Sequence, residues 1–157
     1  MRFIAIPCIA AALVLSACAS APSSRSYVDS TITINDAKAL AFDAAAFLSQ
    51  PLPPAQTTLL LEAPVLSGNA SDLLTPAMQE ALRSLGYGVS ILAPKLETAP
   101  IVSGTLLGYI ASPLDSGVIL RLEFEGKQAS RYYQRSKDGV LQSGFPFTVG
   151  GANEQQR

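Results

Sequence analysis

The chain has 157 residues, one domain's worth, of which 48% are hydrophobic and only 15% charged. A net charge of -1 offers no basic field for a nucleic acid, and the absence of His removes His triads, His general bases and His metal sites. With two Cys and no His a zinc site is not expected, and the apolar composition excludes a mostly disordered chain.

Residues 1–17 read as a targeting segment. Arg2 is a short positive start, and Phe3 to Leu15 is an apolar run broken only by Pro7 and Cys8. Small residues follow at Ser16 and Ala17, which is the pattern of a secretory signal. The run falls short of the roughly 20 apolar residues that a membrane-spanning helix needs. Leu15-Ser16-Ala17-Cys18 resembles a bacterial lipobox, in which the Cys thiol is acylated and becomes the new N-terminus. The other reading is an ordinary signal with a chance Cys. The lipobox implies three acyl chains on Cys18, and two or more anchor a protein stably. Ala19 stands where an Asp would retain such a protein in the inner membrane, so the expected site is the outer membrane, with the domain facing the periplasm. Cys8 leaves with the signal and Cys18 is modified, so the domain is expected to fold without a disulfide.

Residues 18–30 are small and polar and read as a lipidated flexible tether. Thr31 to Ile34 alternates with β-branched residues and predicts a short strand. Asn35 suits a helix N-cap, and Ala37, Leu40, Ala41, Ala44, Phe47 and Leu48 recur at helical spacing up to Ser49, before Pro51. An extended Pro-rich connector leads to a strand over Thr57 to Glu62. A second helix starts between Ser71 and Thr75, with Leu74, Met78, Leu82 and Leu85 on one face, and Gly86 ends it. Tyr87 to Leu92 reads as a strand. Three more follow, roughly Ile101 to Ala111, Gly117 to Glu125 and Ala129 to Lys137. In the second of these, Val118, Leu120, Leu122 and Phe124 alternate with Ile119, Arg121, Glu123 and Glu125. Phe145, Phe147 and Val149 suggest a last edge strand, and residues 150–157 a polar tail. The order is β-α-β-α-β and then a β-meander. It predicts a single α+β domain over residues 31–149, with two helices packed on one face of a mixed, mainly antiparallel sheet.

Nothing in the sequence assembles a catalytic, metal or cofactor site, and no enzyme is expected. Glu123 and Glu125 are two apart, but they share a face with Arg121 and read as a solvated ion-pair surface. No Gly-x-Ser-x-Gly elbow or Ser-x-x-Lys dyad is present. Gly86-Tyr87-Gly88 follows a helix instead of opening one, so it is no phosphate loop. Lys127, Arg131, Arg135 and Lys137 cluster with Tyr132 and Tyr133. Arg131, Tyr133, Arg135 and Lys137 share one strand face, which has two readings. One is a charged edge that resists aggregation; the other is a protein interface anchored by Arg and Tyr.

Three segments in order resemble the TrbH-type conjugal transfer lipoproteins. Leu52-Pro53-Pro54-Ala55-Gln56-Thr57-Thr58-Leu59 is similar to that family's entry to a strand. Ala81 to Val89 (ALRSLGYGV) resembles its helix-to-strand junction, and Ser130-Arg131-Tyr132-Tyr133 a late strand. The likeness spans about residues 15 to 149. It implies a part of the Trb mating-pair formation set of a type IV secretion system, acting at the outer-membrane end of the transfer channel. The implied partners are outer-membrane lipid through acylated Cys18 and other transfer-channel proteins; the resemblance brings no catalytic residue. An alternative is an envelope transport accessory lipoprotein serving lipid or lipopolysaccharide export, which an apolar cavity able to hold lipid would favour.

Overall fold

A computed structural model describes residues 24–66, 71–93 and 103–151. The described part of the expected tether belongs to the domain. Tyr27–Val28 forms a short strand, β1, paired in parallel with Ile110 and Ala111 of β4 (Thr105–Leu114). Ser side chains tie the segment down: Ser24 Oγ donates to the Ala63 carbonyl at 2.9 Å, and Ser26 Oγ accepts from the Tyr109 N–H at 3.0 Å. Their small polar composition, which suggested flexibility, here supplies partners for strand backbone.

The strand expected at Thr31 to Ile34 is replaced by a turn and a helix start. Thr31 donates through both its N–H and its hydroxyl to the Asp29 carboxylate. Thr33 is the N-cap of α1 (Ile34–Leu48): its hydroxyl accepts from the Asp36 N–H, and the Asp36 carboxylate accepts from the Thr33 N–H. This reciprocal capping box outweighs the β preference of two Thr and two Ile. Asn35, expected as the cap, lies inside the helix. The helix buries Ala37, Leu40, Ala41, Ala44 and Leu48 as its spacing predicts; Ala45 is buried as well, and Phe47 of the predicted set is half-buried.

After a single 3-10 turn (Pro54–Gln56) comes β2, Thr58–Glu62, with Leu59 and Leu61 fully buried. The second helix, α2, runs Leu74–Ser84. Asp72 satisfies its first donors, accepting from the N–H groups of Leu74 and Thr75 at 3.0 Å each. Gly86, at φ +92°, closes it: the N–H groups of Tyr87 and Gly86 return to the carbonyls of Leu82 and Arg83. Leu85, expected on the buried face, is exposed. Tyr87 tucks in after the turn instead and donates its hydroxyl to the Leu52 carbonyl at 2.6 Å.

The remaining strands are β3 (Gly88–Leu92), β5 (Gly117–Phe124), β6 (Lys127–Arg135), β7 (Leu141–Ser143) and β8 (Thr148–Gly151). Their order is β3-β2-β4-β5-β6-β7, with β1 beside β4 and β8 beside β6. The pairs β3–β2, β2–β4 and β1–β4 are parallel, and β4–β5, β5–β6, β6–β7 and β6–β8 antiparallel. The result is an open mixed sheet of eight strands with two helices, the α+β arrangement that the element order implies. β7 has no sequence signal, because three residues are too few for alternation to register. Val149 lies in β8, whereas Phe145 and Phe147 precede it, and Gly150 and Gly151 are strand residues instead of tail. Part of the strand expected from Ile101 lies outside the described residues.

The core lies between the helices and one sheet face. Val118, Leu120, Leu122 and Phe124 point into it as their alternation predicts, with Leu59, Leu61, Leu107, Tyr109 and Ala111 beside them. Small residues on α1, Ala41 and Ala44, lie in this layer with the larger Leu74, Met78 and Leu82 of α2. Gly117 is required for close approach: a Cβ there would come within 2.1 Å of the Tyr133 carbonyl.

Candidate functional site

Strand β6 carries the residues expected at an interface. Alternation puts Arg131, Tyr133 and Arg135 on the same side as Ala129, and Ala129 is fully buried under the helices. The face therefore turns inward onto α1. Arg131 Nη1 donates to both oxygens of Asp43, at 2.8 and 2.7 Å. The Tyr133 hydroxyl, on a side chain only 3% exposed, donates to the same carboxylate. Arg135 donates through both terminal nitrogens to Asp36 at 2.9 Å, and also to the Gly139 carbonyl at 2.7 Å. Lys127 starts the strand, whereas Lys137, expected on the same strand face, lies in the turn beyond Arg135; both are exposed. These contacts make the cluster a clamp between β6 and α1.

Geometry explains the match. Asp36 and Asp43 are seven residues apart on α1, two turns and about 10 Å. Arg131 and Arg135 are four apart on β6, about 13 Å. The two spacings are similar enough for both pairs to close. Aromatic rings pack around the Arg131–Asp43 pair: Arg131 lies over Phe147 at 5.2 Å, and Phe147 stacks on Phe47 of α1 at 4.3 Å.

The electrostatics follow. Burial works against the charge on Asp36, but hydrogen bonds from Arg135 and Thr33 hold its carboxyl below the usual value. Arg135 is raised in turn by its bond to Asp36. Burial, then the Asp43 carboxylate, pushes the Tyr133 phenol up, so it remains a proton donor. Tyr109 is likewise raised, chiefly by burial, and its hydroxyl joins Thr75 and Asp72 in a second buried network that ties β4 to α2.

The opposite sheet face carries no helix among the described residues. Leu60, Leu106, Ile110 and Ile119 lie on it, with Arg121 exposed between two hollows. The larger, about 270 Å³, is lined by Ile119, Arg121, Gln128, Ser130, Thr148 and Gly150. Glu123 accepts from Arg25 at 3.2 Å, and Glu125 sits in the β5–β6 turn at φ +49°. The space where a lipid-holding cavity would lie, between helices and sheet, is filled by Leu40, Leu48, Leu59, Leu61, Met78 and Leu82.

The outer edge of β3 has no strand partner among the described residues; Arg83 donates to its Val89 carbonyl at 3.1 Å. No group of three or more His, Cys, Asp or Glu placed to hold a metal occurs among the described residues. Among those residues, no helix is long and apolar enough to cross a membrane. Cys18 lies outside the described residues.

No curated protein matches the chain. A family model, described as conjugal transfer protein TrbH, matches residues 19–150, well over half of the sequence. The match takes in both helices, nearly all of the sheet and the β6–α1 clamp: this chain belongs to the TrbH family of conjugal transfer proteins.

Proposed function

We propose that the protein is a non-enzymatic lipoprotein, held in the outer membrane by acylated Cys18, that supports the assembly or stability of a conjugative type IV secretion channel. The observation that carries this reading is the sequence Leu15-Ser16-Ala17-Cys18 directly before the TrbH match, which starts at residue 19. A conjugal transfer role follows from the family; the anchor follows from the lipobox-like segment. Multiple acyl chains give stable attachment, so the folded domain would be held where channel proteins assemble.

Within the domain, the outer edge of β3, which has no strand partner among the described residues, suits docking. An added strand gains backbone hydrogen bonds there with little demand on sequence. The β6 cluster is already engaged with α1 and serves the fold. In a mating assay with membrane fractionation, Cys18→Ser is expected to lose membrane association and reduce transfer. Unchanged transfer together with unchanged fractionation would reject the anchor.

A further inference from the structure

The chain enters the domain beside an exposed apolar strip. Ser24 Oγ donates to the Ala63 carbonyl, and the Arg25 N–H donates to the Glu62 carboxylate at 3.0 Å. Both bonds fix the entry at the C-terminal end of β2. Val65 and Leu66 follow almost at once, 52% and 47% exposed, after the buried Pro64. Ile91, 44% exposed, lies on β3, whose Leu92 carbonyl accepts from the Ala63 N–H at 3.0 Å. No member of this strip is charged.

Chain length limits how far the strip can lie from an anchor. Six residue steps separate Cys18 from Ser24, and they span at most about 20 Å even fully extended. We propose that Val65, Leu66 and Ile91 rest on the lipid bilayer to which Cys18 is tied, so that this corner of the domain faces the membrane. The proposal rests on Cys18 being acylated. The acyl chains hold the protein, and the strip sets its orientation; three half-exposed side chains are too small a patch to retain a domain on a bilayer unaided.

Phe145 provides the contrast. It is more exposed, at 77%, and just as apolar, but it follows β7 at the far side of the sheet. Four strand spacings separate β2, where the chain enters, from β7, about 19 Å, so Phe145 lies at the full reach of the leash while the strip lies at its root. General stickiness would favour Phe145, whereas a short leash favours the strip.

The experiment uses the lipidated chain with bimane on either Val65→Cys or Phe145→Cys. Processing leaves no other free thiol, because Cys8 is removed and Cys18 carries the acyl group. The protein is reconstituted in vesicles of phosphatidylethanolamine and phosphatidylglycerol containing doxyl-labelled quencher lipid. Most of the emission should be lost at residue 65 and little at residue 145. Equal quenching at both sites, or none at 65, overturns the proposal. So does a dye at 65 that is shielded from water but not quenched by lipid, since another protein or a second copy would then cover the strip. Mass spectrometry of the same preparation separates the two levels. Missing acyl groups overturn the anchor and the strip together; acyl groups with an unquenched residue 65 overturn the strip alone.

Discussion

Helices α1 and α2 lie on the same sheet face but are held by different chemistry. α2 inserts large side chains, Leu74, Met78 and Leu82, all fully buried, and has two neutral-acceptor polar links to the sheet, from Thr75 to Tyr109 and from Arg83 to the Val89 carbonyl. α1 buries mostly Ala and Leu and is clamped to β6 by Asp36–Arg135 and Asp43–Arg131, with Tyr133 on the second pair. Apolar burial supplies stabilisation without direction. Ion pairs of defined geometry add less net energy but specify position. An Ala-rich helix can slide on a flat face; two carboxylates two turns apart allow one register against two guanidinium groups.

The contrast is tested most severely in α2. Leu82→Ala, at a fully buried site, should destabilise the domain by about 2–5 kcal/mol in urea unfolding. Asp36→Ala should cost somewhat less, about 2–3 kcal/mol, because it removes a cap and two charge-assisted bonds while the partly exposed Arg135 can rehydrate. Its pH dependence has a definite sign. The native Asp36 carboxyl is lowered from 3.8, so its contribution is complete above that value and lost as pH falls below it toward the native value. Urea midpoints at pH 7 and pH 3 should therefore converge more closely in Asp36→Asn than in the parent. A loss as steep in the variant as in the parent would assign the acid sensitivity elsewhere.

Smaller effects sharpen the picture of the second pair. Tyr133→Phe and Asp43→Asn should each cost about 1 kcal/mol, and a double-mutant cycle should show coupling of about 0.5–1 kcal/mol because both groups share one carboxylate. Strict additivity would mean that the tyrosine hydroxyl contributes nothing through Asp43. At the surface, Arg25→Ala removes an ion pair whose arginine is more than half exposed. It should change stability by at most about 1 kcal/mol, with the remaining effect weakened by salt.

The legible elements were those with several turns or several alternations. Leu40, Ala44 and Leu48 announce α1, and Val118 to Phe124 announce the orientation of β5. The illegible ones were short or settled by local hydrogen bonds. Thr31 to Ile34 carries a strand pattern, yet Asp29 and Asp36 capture its two threonines. Ser24 to Ser26 has the composition of a linker, yet its hydroxyls bind strand backbone. The Arg131 face was legible as a face but not as an inward one: three polar side chains in alternation look solvated until their partners are known. A signal did exist, in Asp36 and Asp43 at two-turn spacing. It becomes readable only beside Arg131 and Arg135, nearly a hundred residues away.

By itself the sequence determined the order of the two helices and the longer strands, the apolar sets that meet in the core and the membership of a transfer family. Each of these depends on local periodicity or on short runs of residue types. Tertiary structure alone decided which face of β6 is covered, how Ser24 to Val28 joins the sheet, and which exposed apolar residues stand where the chain enters. Those outcomes depend on pairings between distant segments, whose energies arise only once the sheet has brought them together.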